Sequence, residues 1–473
     1  MNMKRLYTFL FPRWGIMATL TFALIVGCTQ DPQIPVNNDV DYTHLNLTGK
    51  VALEWFKLFP EMERFTPGYR VVIAGRALGY ITLTAYEAVI PGYSTQYQSI
   101  ARQFNGLNIP KHDPKLEYNW EIVLNSALET SFDHFFKIAP TNLQAKMDYL
   151  ANQLYGKLNQ GVDANVRYRS KAYGKKVADA VFEWSKTDKV GHEAYYRNYD
   201  PNYIPPGGKG KWSPTYPDYL SAMCPHWGEV RTFVATKSDR VKDPLPYSED
   251  PNSALYKEAL ETYNLVNEIK KGNLFEDRWI AEFWSDDCPT LTFSPVGRWL
   301  VITNQLFQHN PQSIDVMLPL YAKLGMALHD AGVRSWGEKY RYNILRPVDY
   351  IHSVFGDKEW NTIMCPDGTG RYFTPEFPTY PSGHATFGAA AAEVLSYSMG
   401  HYYEMIDNSH KGRTEFLGMP RRYGSFREMA EENAYSRLPI GVHFRMDSDA
   451  GLDLGRRVAH RVLNEIRWMK YYN

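Results

Sequence analysis

The sequence predicts an all-α protein, built as two packed helical bundles with long connecting loops. Apolar residues recur at helical spacing over many long segments, and strand-like alternation is scarce. A chain of 473 residues can bury one large core or several, and an aromatic content of 15% is what such a core absorbs. Lys+Arg and Asp+Glu are both 52, so the net charge is zero and no surplus of cations points to nucleic acid.

The first residues read as a targeting segment rather than as fold. Lys4, Arg5 and Arg13 precede an apolar run over 14–26, too short to span a bilayer comfortably and suited to a signal peptide over 1–27. Ile25-Val26-Gly27-Cys28 resembles a bacterial lipobox, which would make Cys28 the lipidated mature N-terminus. The expectation is an exported protein anchored by acyl chains to a bacterial membrane, on the periplasmic face or the cell surface. Residues 28–46 are polar and rich in Pro, Asn and Asp, as a tether would be.

An N-terminal helical region is expected over 47–250, with helices at 68–89, 117–138, 142–158 and 162–186. From 199 to 250 the chemistry is that of a loop, with Pro205-Pro206-Gly207-Gly208 and repeated Trp, Tyr and Pro. A C-terminal catalytic region follows over 251–473, with helices at 251–271, 296–308, 311–335, 385–398 and 448–468. The segment 311–335 is apolar on most faces and should be buried; 385–398 is small and apolar, which permits close helix contact. Cys224, Cys288 and Cys365 are each followed by proline and lack metal-site spacing. They read as structural, with one pair open to bridging and one thiol left over.

Three blocks carry the chemistry: Lys339-x6-Arg346-Pro347, Pro381-Ser382-Gly383-His384, and Ser436-Arg437-x5-His443-x3-Asp447. A tetrahedral oxyanion needs donors converging from several directions. Arg346 and Arg437 offer two-pronged forks, Lys339 a point charge, and Ser382 and Gly383 a helix start with a hydroxyl and a close backbone approach. Two histidines then divide the work. His443, with Asp447 a helical turn on as its orienting partner, is the group bonded to the central atom; His384 is the general acid or base on an apical oxygen. His226, His329 and His352 have no such company and read as structural.

In order and spacing the blocks resemble the vanadium-dependent haloperoxidases and their relatives, the type 2 phosphatidic acid phosphatases. Longer strings are similar to the chloroperoxidase branch: Trp336 three residues before Lys339, the run 377–388 around the turn, and 436–444. The resemblance covers roughly the last 140 residues in detail. It implies a vanadate cofactor held by Lys339, Arg346, Ser382, Gly383 and Arg437 and bonded to His443, with Trp336 and Phe377 flanking the halide region. Hydrogen peroxide and halide are the implied substrates, His384 manages the proton, and Lys339 polarises the peroxide. A hypohalous acid equivalent then leaves to meet small organic acceptors. A weaker likeness around Phe283-Trp284-Ser285-Asp286-Asp287 implies that one acidic residue, Asp287 rather than Asp286, supports His384. The same pocket could serve an acid or lipid phosphatase, with His443 as nucleophile. A glycan-binding surface lipoprotein also fits the composition, but gives no reason for the three blocks.

Overall fold

The computed structural model describes residues 49–470 apart from 95, 309, 310 and 367, so the targeting segment, Cys28 and the whole tether lie outside the described residues. Helices dominate. In chain order they are α1 (Lys50–Phe65), α2 (Val71–Tyr93), α3 (Trp120–Phe135), α4 (Thr141–Leu158), α5 (Ala164–Lys186), α6 (Ala254–Lys270), α7 (Phe275–Phe283), α8 (Pro295–Gln308), α9 (Ile314–Tyr342), the single turn α10 (Pro347–Tyr350), α11 (Gly383–Met399), α12 (Phe426–Tyr435) and α13 (Arg445–Glu465). Two short antiparallel ribbons interrupt them: β1 (Tyr199–Asp200) with β2 (Ala222–Met223), and β3 (Met405–Asp407) with β4 (Arg421–Tyr423).

The centre is the α2–α9 pair. Every residue of α2 from Val71 to Ile90 is buried, and so is almost all of α9 from Met317 to Lys339, as their apolar faces require. On one side α2 carries α3 and α5; on the other α9 carries α11, which packs against α12 and α13. The small residues of α11 do permit close contact. A Cβ at Gly455 would stand 2.2 Å from the Thr386 carbonyl, and one at Gly451 would stand 2.6 Å from that of Ser382. Only glycine lets α13 lie this near the first turn of α11.

Sequence and structure differ at several boundaries. The helix α1 is missing from the sequence reading; Pro60 stands inside it, yet Trp55, Phe56 and Phe59 are fully buried, and that burial outweighs the lost backbone bond. The buried helix expected at 311–335 continues to Tyr342, which places Trp336 and Lys339 on its last turns. The helix expected at 448–468 starts at Arg445, because Asp447 caps it through the Phe444 N–H at 3.0 Å. The loop segment runs along α9. Phe233, Val234 and Ala235 donate their N–H groups to buried Asp330 at 2.8–2.9 Å, and Met223 O accepts from Trp336 and Tyr340. Cys288 and Cys365 form a disulfide, and Cys224 is the free thiol, buried. No described helix is long and apolar enough to cross a membrane.

Candidate active site

The three blocks meet. The last turns of α9 bring Trp336 and Lys339, the entry to α10 brings Arg346, the N-terminus of α11 brings Ser382, Gly383 and His384, and the approach to α13 brings Arg437 and His443. Trp336, Phe377, Gly383, His384, Arg437 and His443 line one cleft, together with Asp287. Lys339, Arg346, Ser382 and Arg437 are at most 1% exposed.

Lys339 is held differently from expectation. Its ammonium donates to the carbonyls of Pro378, Thr379 and Pro381 at 2.9, 2.9 and 2.6 Å. An ammonium has three donors, and these carbonyls take all of them. Lys339 therefore ties down the turn that contains the cis Tyr380–Pro381 bond and delivers Ser382 to α11, and it contributes a buried charge. The role implied by resemblance, a direct hand on peroxide, is not what its donors do here.

The arginines are arranged with donors left over. Arg346 donates from Nε to Phe377 O at 2.9 Å and from Nη1 to Val442 O at 2.9 Å, and its Nη1 lies 3.3 Å from His443 Nε2. Arg437 donates from Nη1 to Trp284 O at 2.7 Å. Arg346 Nη2, Arg437 Nε and His384 Nε2 are buried without a partner. Buried polar atoms are normally satisfied, so three unpartnered ones, on Arg437 and His384 of the cleft and on Arg346 beside His443, fit a site built to bind a polar group. Burial lowers all three cations: Lys339 falls well below the usual lysine range, Arg346 goes to about 10 and Arg437 to about 9. A site so crowded with desolvated positive charge fits a multiply charged oxyanion such as vanadate or phosphate.

His443 is oriented as the sequence suggested, with one addition. Its Nδ1 lies 2.9 Å from Asp447 Oδ2, and Thr379 Oγ1 reaches both that nitrogen at 2.9 Å and the same carboxylate oxygen at 2.5 Å. A proton on Nδ1 leaves the lone pair on Nε2, facing Arg346 and the cleft. Burial and the cations Arg346, Lys339 and Arg437 hold His443 well below the ordinary histidine range. His384 is depressed for the same reasons. Burial raises the Asp447 carboxyl to about 7 against the bonds from Thr379 and Phe444. Thr379 escaped the sequence reading because a threonine inside a turn has no periodicity to mark it.

Ser382 caps α11 by accepting from the Ala385 N–H at 3.4 Å, and its own N–H goes to Asp447 O at 2.8 Å. Its hydroxyl hydrogen is the donor it can still offer. Gly383, the first residue of α11, has an N–H with no acceptor inside the helix. A Cβ there would stand 3.3 Å from the Trp336 ring, which itself packs on Phe377 with centroids 4.8 Å apart.

The acidic partner of His384 is where sequence reasoning goes astray. The Asp287 carboxylate pairs with Arg70 at 3.3 Å, so it is engaged away from the histidine. His384 bonds instead to the main chain of Asp286. Asp286 turns its buried side chain towards Arg298 at 3.6 Å and His410 at 3.7 Å. His329 and His352 bond the carbonyls of Arg231 and Trp360 at 2.7 Å each, in keeping with structural roles, while His226 lies 3.4 Å from Asp200. No cluster of His, Cys, Asp and Glu suited to a metal ion occurs among the described residues.

Residues 319–470 match the family described as the VCPO second helical-bundle domain. The chain is 30% identical over 178 residues to the vanadium chloroperoxidase of Curvularia inaequalis, covering 28% of this chain and 29% of that protein. It is 32% identical over 131 residues to the vanadium-dependent bromoperoxidase of Ascophyllum nodosum, covering 26% of this chain and 23% of that one. Both alignments thus span less than a third of the relatives' length. A solved structure described as the first bacterial vanadium-dependent iodoperoxidase superimposes with a TM-score of 0.79 at 28% identity, over 91% of this chain and 99% of its own. A holo-type bacterial vanadium-dependent chloroperoxidase shares the fold with a TM-score of 0.62 at 17% identity, over 84% of this chain and 92% of its own.

Proposed function

We propose that this chain, a member of the vanadium-dependent haloperoxidase family, oxidises halide with hydrogen peroxide to a hypohalous acid equivalent. In overall balance, halide, peroxide and one proton give hypohalous acid and water. The observation that carries the reading is the set of three buried polar atoms without a partner: Arg437 Nε and His384 Nε2 on residues that line the cleft, and Arg346 Nη2 on the guanidinium beside His443. Bound vanadate supplies a Lewis-acid centre at which peroxide becomes open to attack by halide.

The residues divide into three tasks. Arg346, Arg437, the Gly383 N–H and the Ser382 hydroxyl hold the oxyanion, while Lys339 fixes the turn that presents it. His443 offers Nε2 as ligand, with Asp447 and Thr379 setting its tautomer through Nδ1. His384, kept unprotonated by burial and the neighbouring cations, takes the peroxide proton at Nε2. Trp336 and Phe377 form the apolar wall against which halide is desolvated. Small organic acceptors then react with the released oxidant.

A paired assay tests this. Apoprotein given orthovanadate and peroxide should oxidise iodide or bromide; failure to do so, with efficient hydrolysis of p-nitrophenyl phosphate by the apoprotein, would establish the phosphatase alternative. The lipobox-like residues 25–28 support export and a lipid anchor at Cys28 on a bacterial membrane, with 28–46 as tether. Fatty-acid labelling in a bacterial host should disappear in Cys28→Ser; labelling that persists would remove this reading.

A further inference from the structure

Outside the oxyanion cage the cleft has a charged rim. Arg70 caps the start of α2, far from the three blocks in sequence, and its guanidinium binds two carboxylates at once. It donates from Nη1 to Glu376 Oε1 at 2.6 Å and to Tyr199 Oη at 2.8 Å, and from Nε and Nη2 to Asp287 at 3.4 and 3.3 Å. Tyr199 in turn donates to Glu376 Oε1 at 2.5 Å, while Glu376 Oε2 is buried without a partner. The cluster is tied to the cleft on both sides. Val71, Asp287 and Phe377 all line it, and they are, or adjoin, Arg70, Asp287 and Glu376. Asp287 also has φ 66°, a left-handed backbone that side-chain-bearing residues adopt chiefly where surrounding structure imposes it, often at functional sites.

The charge balance at this rim matters because the substrate is an anion. One guanidinium faces two carboxylates, both nearly buried, where screening by solvent is weak. Without the arginine, a halide in the cleft beside Asp287 would meet two carboxylates, with Arg437 the cation left acting on Asp287. With it, the net charge of the cluster falls from two negatives to one, and the repulsion that an anion meets there is roughly halved. Hydrogen peroxide is neutral and feels little of either arrangement. We propose that Arg70 is a specificity-determining residue for halide: paired with Asp287 and Glu376, it sets the electrostatic barrier that an anionic substrate meets on entering the cleft. This inference rests on the haloperoxidase reading above. A bland alternative exists, in which the cluster merely ties α2 to the segment before α11. It predicts altered stability with unaltered substrate preference.

The experiment measures KM for iodide and KM for peroxide on the vanadate-loaded full chain, in wild type, Arg70→Gln, Arg70→Lys and Asp287→Asn. Arg70→Gln should raise the iodide KM about tenfold and leave the peroxide KM within about twofold, and Arg70→Lys should restore most of the loss. Asp287→Asn should shift the iodide KM the other way, lowering it several-fold, a sign that lost packing does not produce; asparagine tolerates the left-handed backbone. If Arg70→Gln fails to fold, Asp287→Asn decides alone. Iodide KM values within about twofold of wild type in the folded variants would overturn the inference while leaving the haloperoxidase reading intact. A wild type that oxidises no halide would overturn both.

Discussion

Replacing Asp447 by alanine separates two consequences that one buried carboxylate has. Its Oδ2 accepts from His443 Nδ1 at 2.9 Å, from the Phe444 N–H at 3.0 Å and from Thr379 Oγ1 at 2.5 Å. Thr379 Oγ1 has Val442 O within 3.5 Å as a second acceptor, so Asp447→Ala leaves two donors orphaned. At about 1–3 kcal/mol each, that destabilises by roughly 2–6 kcal/mol. Against this, burial raises the Asp447 carboxyl from 3.8 to about 7. Removing that buried charge returns about 4 kcal/mol above pH 7, at roughly 1.4 kcal/mol per unit. The two effects nearly cancel, so the fold should change by no more than about 2 kcal/mol in urea unfolding of the apoprotein. Vanadate affinity is another matter. With Nδ1 released, the His443 ring loses its tautomer and its orientation, and affinity should fall about 10–100-fold. Equilibrium binding of orthovanadate to both apoproteins measures it, with Asp447→Asn as the variant that keeps an acceptor and loses less. An Asp447→Ala protein that binds vanadate as tightly as wild type would refute the orienting role.

The two histidines should part in the same binding assay. His384→Ala is expected to keep vanadate affinity and lose about 10²–10⁴ in turnover, whereas His443→Ala loses tight binding; the reverse pattern would exchange their roles. Glu63 gives a pH test of the scaffold. It sits on α1, 2% exposed, where its carboxylate accepts from the Ser294 N–H just before α8, and burial raises its carboxyl from 4.5 to about 8. The folded state therefore holds a proton that the unfolded state releases, so stability from this group is complete below pH 4.5 and is lost as pH rises to 8. Glu63→Gln should remove that loss. The difference between the two stability curves should grow by about 3–5 kcal/mol from pH 4.5 to 8 and then stay flat; parallel curves would show the carboxyl is not desolvated.

What was legible in the sequence follows from how each feature is encoded. The oxyanion cage is written in short blocks, because Lys339 and Arg346 flank one helix end and Ser382, Gly383 and His384 share one helix start. Buried α9 and the small-residue face of α11 show as composition. Geometry that depends on the turn backbone does not show. Nothing local reveals that the carbonyls of Pro378, Thr379 and Pro381 converge on Lys339, or that Thr379 bridges His443 and Asp447. Of two adjacent acidic residues, sequence cannot say which carboxylate turns inward. Asp287 goes to Arg70 and Asp286 meets His384 through its main chain, with the backbone at 287 left-handed. The Arg70 rim is the extreme case, since Arg70 and Glu376 are 306 residues apart.

If the cage holds vanadate, halide oxidation depends on it. Titrating orthovanadate into apoprotein with peroxide and iodide present tests this most directly. Oxidation should be absent at the start, rise with added vanadate and saturate at one equivalent per chain. Oxidation that is present without vanadate, or that never appears at saturation, would show that the cage does not work through bound vanadate.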